Sequence, residues 1–312
     1  MKSLIKKLGS LFLISSIVVL TACNSDDIDA SNGGKINVVT TISQIGEPLA
    51  VIGGDRVNVE SLMGPSVDPH LYQATHSDII KIDQADIIFY NGLNLEANMV
   101  KIFDKISQSK PVLAVGDTIP TDLLLRDESG AVDPHIWFDL DLWEKALEAA
   151  VEELKKYSPE DADYFEENKQ KYFAEMTTVK QEAKKLADIP KEKRVLVTAH
   201  DAFGYFGRMH DIKVVGLQGL STDAEIGVSD INKTINIIKK YKVPAIFVES
   251  SINDSSINAV IEGAKNEGID VKLGGELFSD AMGKPGTEKG TYLGMYRHNV
   301  NTIYTALSGG AE

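Results

Sequence analysis

Residues 139–188 read DLDLWEKALEAAVEELKKYSPEDADYFEENKQKYFAEMTTVKQEAKKLAD. Glu, Lys, Ala and Leu dominate and no strand-like run interrupts them, so the stretch is helical from end to end. Ser158-Pro159 divides it. Ser158 suits a helix N-cap, and Pro159 suits the first helical position, where its missing N–H is not needed. The second helix, over 159–188, should be roughly 45 Å long at the usual rise, which is unusual inside a globular domain. Two separate surface helices are the plainer alternative. We read the segment as a spine joining two lobes.

Outward from this centre the chain alternates between β-branched apolar runs and helical spacings. Before it, strands are expected at 36–41, 57–62, 85–90 and 112–115, with helices at 45–53, 71–84 and 99–107. After it, strands are expected at 194–198, 213–216, 245–248 and 271–277, with helices at 202–209, 231–241, 256–266 and 292–307. Such alternation implies parallel sheets covered on both faces. The expected fold class is therefore α/β. Two βα-repeat lobes with parallel sheets, at 35–158 and 190–312, are joined by a long rigid linking helix at 159–189.

The N-terminus carries an export signal. Lys2, Lys6 and Lys7 precede a largely apolar run from Leu8 to Leu20, too short to span a bilayer comfortably. It ends in Leu20-Thr21-Ala22-Cys23, which resembles the lipobox of bacterial lipoproteins. That resemblance implies a signal peptide at 1–22, cleavage before Cys23 and diacylation of Cys23, enough for stable anchoring. Cys23 is the only cysteine, which excludes an internal disulfide and a thiolate metal site. Residues 23–34 are polar and acidic and read as a flexible tether holding the folded part off the membrane. Removing the three signal lysines leaves 29 basic against 46 acidic residues, a net charge of −17. Nucleic-acid binding is excluded on that balance.

One tripeptide occurs twice, as Asp68-Pro69-His70 and Asp133-Pro134-His135. Each histidine follows a proline that fixes the local backbone, and each is expected to open a helix. Imidazoles on rigid turns are poor packing choices but good ones for presenting a nitrogen to an ion. His200 follows the strand 194–198, Asp280 follows the strand 271–277 and Glu249 ends the strand 245–248. The carboxyl ends of strands are where open α/β sheets place their ligands. The first lobe thus offers two imidazoles, and the second an imidazole and carboxylates. His76, His210 and His298 have surroundings of solvated face, loop and last helix, and are not expected to be ligands.

Taken together, these segments resemble the manganese- and zinc-binding solute-binding lipoproteins of ABC importers, the cluster A-I family. The resemblance covers essentially the whole chain: the lipobox, both Asp-Pro-His turns, Thr198-Ala199-His200-Asp201-Ala202-Phe203, the Phe-Val-Glu-Ser-Ser strand end at 247–251 and Ser279-Asp280. It implies that His70, His135, His200 and Asp280 are the metal ligands. Glu249 is then a hydrogen-bonding residue behind them. Some manganese-selective members carry Glu at the position of His200, which leaves zinc open. Members dedicated to zinc often carry a long His- and acid-rich loop. The short, His-free 123–132 segment lacks it, which favours manganese.

Three imidazoles and a carboxylate suit borderline divalent ions, whereas calcium and magnesium want more oxygens. The implied function is capture of Mn2+ or Zn2+ as cargo in the cleft between the lobes. Delivery is to an ABC permease and ATPase on separate chains, by a lipid-anchored monomer on the extracytoplasmic face. A secreted zinc hydrolase is the main rival. Against it, four ligands from two lobes would close the site, and no His-Glu-x-x-His helix or nucleophile elbow is present. A surface adhesin is the second rival, and nothing in the sequence demands a macromolecular ligand. No catalytic residue is expected.

Overall fold

Strand β1, Ile36–Ile42 (INVVTTI), is apolar or β-branched at nearly every position and is buried along almost its whole length, as a central parallel strand must be. The computed structural model describes residues 34–309. The expected signal peptide, the lipid attachment at Cys23 and the tether up to residue 33 lie outside the described residues. Around β1 lie β2 (Val57–Met63), β3 (Ile87–Tyr90) and β4 (Val112–Ala114), in the order β2-β1-β3-β4 with every pairing parallel. Val38 faces Val59 on one side and Ile87 on the other. Helices α1 (Ser43–Gly53), α2 (His76–Gln84) and α3 (Val100–Ile106) supply the crossovers.

The 139–188 stretch forms α4 (Leu140–Tyr157) and α5 (Ala162–Glu182), separated at Ser158. Asp139 caps α4 by accepting the N–H groups of Asp141 and Leu142. The α-helical part of the expected spine is 21 residues, about 31 Å at the usual rise. One 3-10 turn at Pro159–Asp161 and a second 3-10 stretch at Ala183–Asp188 carry it to the expected ends. Ser158 does not cap with its side chain. Its hydroxyl donates to the Asp161 carboxylate at 2.8 Å, and Pro159 takes the first position of the turn.

Beyond α5 the βα pattern resumes. β5 (Val195–Thr198) pairs with β6 (Lys213–Gly216), and β7 (Ala245–Glu249) with β8 (Lys272–Leu277), both parallel. These form two separate two-stranded ladders, with β5 and β7 side by side. Helices α6 (Gly204–His210), α7 (Val228–Tyr241), α8 (Ser255–Asn266) and α9 (Tyr292–Ser308) complete the chain. Gly274 lets the exposed β8 pass close to β7: a Cβ there would sit 2.6 Å from the Phe247 ring.

The larger apolar core runs from Ile36 through Trp143 of α4 and Met176 of α5 to Leu307 of α9, so the last helix packs with the first half of the chain. A smaller core joins Val195, Val197, Ile238, Ile246 and Val260 beneath α7 and α8.

Two helix starts differ most from expectation. The helix expected from residue 231 begins at Val228. The helix anticipated from residue 71 begins at His76, so His70 sits in a turn and does not open it. Thr75 and Asp78 form a reciprocal capping box, which stops the helix from extending backwards. His135 opens a 3-10 turn, Ile136–Phe138, before α4 starts.

Candidate metal centre

Each candidate ligand is placed by the end of a strand or by a proline turn. In the second Asp-Pro-His turn, Asp133 Oδ1 accepts the backbone N–H of His135 at 3.0 Å and lies 2.7 Å from its Nδ1. A carboxylate at Nδ1 puts the ring proton there and leaves the Nε2 lone pair facing the other way. In the first turn, Asp68 Oδ1 accepts the N–H of His70 at 2.9 Å. His200 lies two residues past the end of β5. Its backbone N–H donates to Glu249 Oε1 at 2.8 Å. Its Nδ1 lies 2.7 Å from Glu249 Oε2, an ion-pair distance outside hydrogen-bond geometry. Asp280 lies in the loop after β8.

The four side chains converge. His70 Nε2 and His135 Nε2 are 3.3 Å apart. Asp280 Oδ2 is 3.6 Å from His70 Nε2 and 3.2 Å from His200 Nε2, and Oδ1 is 3.5 Å from His135 Nε2. Ligands about 2.0–2.1 Å from a tetrahedral ion are separated by about 3.3–3.4 Å along the tetrahedron's edges. The separations to Asp280 and between His70 and His135 are close to this, and one ligand atom from each of the four residues lies within 4.8 Å of all the others, so a single small cation can sit among them. All four residues are buried, at 5% exposure or less. Neither oxygen of Asp280 has a hydrogen-bond donor, a costly arrangement for a buried carboxylate unless something else satisfies it.

The electrostatics follow from this crowding. Burial pushes His70 down to about 3, opposed by Asp280 and reinforced by the neighbouring imidazoles. Burial also acts against the charge on His200, but Glu249 and Asp280 outweigh it and hold the imidazole well above its usual range. Asp280 is disfavoured by burial, yet His200, His135 and His70 together keep its carboxyl below the ordinary carboxylate range. Asp280 is thus the anionic member of the set, and His70 a neutral donor.

A family model described as "ZnuA: Zinc-uptake complex component A periplasmic" matches residues 38–306. The chain belongs to the ZnuA family. Among ZnuA-family relatives, the manganese-binding lipoprotein MntA of Bacillus subtilis (strain 168) is 45% identical over 290 residues, 92% of this chain and 95% of that protein. The zinc-binding protein TroA of Treponema pallidum (strain Nichols) is 44% identical over 281 residues, 90% of this chain and 91% of its own. The solved structure of the Treponema pallidum protein superposes with a TM-score of 0.87 at 44% identity, covering 88% of this chain and all of that one. The manganese ABC transporter substrate-binding lipoprotein PsaA of Streptococcus mitis is 30% identical over 312 residues, 97% of this chain and 99% of that protein. This family consists of binding proteins, and the α/β architecture with its long helix is the family's own.

Glu249 stands behind His200, accepting its backbone N–H and facing its Nδ1. The other histidines lie apart from the cluster. His76 is the exposed first residue of α2. His298 shares a hydrogen bond with the Glu276 carbonyl at 2.9 Å. His210 is not in a loop, as its sequence context suggested. It is the last residue of α6, and its Nε2 is 2.8 Å from the Tyr296 hydroxyl.

Sequence reasoning missed the residues that hold the Asp280 loop. Gln44 Nε2, fully buried on α1, donates to the carbonyls of Ser279 and Asp280 at 3.2 and 2.8 Å. Trp137 Nε1 donates to the Ser279 carbonyl at 3.1 Å. Asn299 brackets Phe278, accepting its N–H and donating to its carbonyl. The only trace in the sequence is a polar residue on an otherwise apolar helix face.

Proposed function

We propose that this chain captures one divalent transition metal ion with His70, His135, His200 and Asp280, and that the ion is the cargo of an ABC importer. Manganese is the proposed cargo, with zinc also bound. The observation that carries the reading is the convergence of four buried side chains whose ligand atoms all lie within 4.8 Å of one another, close enough to share one coordination sphere. The relatives' names, manganese-binding and zinc-binding, support the same chemistry. In this reading Asp133 and Glu249 aim two of the imidazoles, and Asp280 supplies the negative charge. Four protein ligands leave no open position for a reactive water, which a zinc hydrolase requires.

The same reading divides the folded chain into an N-terminal lobe at 35–158, the linking helix at 159–189 and a C-terminal lobe at 190–312, each lobe giving two ligands. It has the protein act as a monomer attached through diacylated Cys23 to the outer face of the cell membrane, handing the ion to a permease and ATPase on separate chains. The word lipoprotein in two of the relatives' names supports the anchor.

The test is equilibrium competition against a chelator for Zn2+ and Mn2+ at fixed pH, with His70→Ala, His135→Ala, His200→Ala and Asp280→Ala measured singly. We expect one ion per chain, with zinc bound more tightly than manganese because the site is rich in nitrogen. Each variant should lose at least about tenfold in affinity, the lower end of what even outer-shell partners contribute. Wild-type affinity in all four variants would place the site elsewhere.

A further inference from the structure

The metal centre is fastened unequally on its two sides. Around His135 and Asp280, buried donors join the two halves of the chain. Gln44 and Trp137 hold the carbonyls of Ser279 and Asp280. The Tyr205 hydroxyl donates to the Asp133 carbonyl at 3.0 Å, and the Tyr292 hydroxyl to the Trp137 carbonyl at 2.6 Å. The larger apolar core continues through the same side and includes Trp137, Phe278 and Tyr292. Around His70 the fastening is sparse. Among the described residues, a single hydrogen bond links the second half of the chain to the first Asp-Pro-His turn, from Thr222 Oγ1 to Asp68 Oδ2 at 2.6 Å.

That bond lies at the edge of a groove. A cavity of about 650 Å³ is bordered by Asp68, Leu71, Gln218, Thr222 and Ile252. Leu71, the next residue after His70, is 51% exposed. Thr222 belongs to the irregular segment between β6 and α7. Gln218 shapes this segment by donating from Nε2 to the carbonyls of Thr222 and Ala224 at 3.2 and 2.7 Å. The Asp68 carboxylate therefore does two things: Oδ1 fixes the backbone of His70, and Oδ2 receives the segment from the other half.

We propose that Thr222 is the latch of the metal gate. Its hydrogen bond to Asp68 holds the 217–227 segment against the His70 turn, and the ion enters and leaves along the adjoining groove when that bond opens. The proposal rests on the assignment of the four residues as ligands. Among the described residues, opening on this side breaks one hydrogen bond between the two halves of the chain. Opening on the His135 side would break several buried bonds and part of the main core.

The experiment uses the purified full-length protein with Zn2+ as the probe. Release is followed in a stopped-flow instrument with excess chromogenic chelator. Entry is followed through tryptophan fluorescence, because the Trp137 ring lies 5.3 Å from that of His135. Thr222→Val removes the hydroxyl and keeps the shape. A hydrogen bond to a charged acceptor corresponds to about ten- to a hundredfold in an equilibrium constant. We expect the rates of entry and release to rise together by about tenfold or more, with Kd changed by less than about threefold. Thr222→Ser, which keeps the hydroxyl, should restore both rates. Gln218→Met, which loosens the segment without touching Asp68, should raise both rates and serves if Thr222→Val does not fold. Unchanged rates in both variants overturn the proposal. So does faster release with unchanged entry, since that pattern means Thr222 only steadies the bound site. A wild-type protein that binds no Zn2+ would instead overturn the ligand assignment itself.

Discussion

At the residue scale, the division between what could and could not be read follows from how each side chain is held. His70 and His135 announce themselves because the proline turn that aims each is contiguous with it. The contact of Asp133 with His135 Nδ1, at 2.7 Å, shows only in the fold. Glu249 is legible only as a carboxylate at the end of a strand, and that the strand lies beside the one leading to His200 is seen in the fold. Gln44 and Thr222 have no such signal, because the groups they bind lie 235 and 154 residues away. Glu249 also gives a clean test. It accepts the backbone N–H of His200 and faces its Nδ1 with a charge. Glu249→Gln keeps the shape and removes the charge, so Zn2+ affinity should fall about 10–100-fold, as for other partners of metal-bound imidazoles. Chelator competition measures it. A change smaller than about twofold would mean that the carboxylate is not needed to orient or charge-balance His200.

At the element scale, β-branched runs and βα alternation placed every strand within a residue or two. The parallel order followed from the alternation because crossovers of this length cannot close a hairpin. The start of α2 escaped because apolar Leu71 and Tyr72 look helical, whereas Thr75 and Asp78 decide the boundary through side-chain capping. The end of α6 lies one residue beyond the expected 209 and takes in His210, which carries a pH effect. His210 meets Phe206 edge-on with ring centroids 4.5 Å apart and shares its hydrogen bond with Tyr296. Burial lowers its pKa to about 4, with Asp139 opposing and Lys180 assisting. The unfolded chain binds this proton from about pH 6.5 downward, and the folded chain only near pH 4. Stability from His210 is thus complete above the unfolded value and is lost as pH falls through that window, by about 2–3 kcal/mol. His210→Gln should lose that much less stability than wild type between pH 7 and about pH 4. Urea denaturation of the metal-free proteins at both pH values measures the difference. Equal acid destabilisation of the two would show that His210 is protonated without penalty.

At the scale of the whole molecule, the proposed ion ties together residues 70 and 280, at opposite ends of the folded chain. An unfolded chain cannot gather four ligands over that span, so metal binding free energy becomes folding free energy. Free metal at about 1,000 times Kd should stabilise the fold by about 4 kcal/mol, and each further tenfold adds about 1.4 kcal/mol. For a chain of this size that corresponds to roughly 8–16 °C in Tm. The pattern of melting tests more than its size. The larger core includes residues of β1, α4, α5 and α9, and the smaller one β5, β7, α7 and α8. Metal-free protein can therefore melt in two steps, with the smaller core first. Because Ala199, next to His200, belongs to the smaller core, whereas Ile136, next to His135, and Phe278, near Asp280, belong to the larger one, an ion bound by all four ligands couples the two cores. Calorimetry should show the steps merging and moving up together on addition of Zn2+. Asp280→Ala should abolish most of that shift, whereas Asp254→Ala, at the start of α8 and outside the cluster, should leave it intact. If Zn2+ raised only one of two transitions, or raised Tm equally in wild type and Asp280→Ala, the ion would not be held between the two ends of the chain.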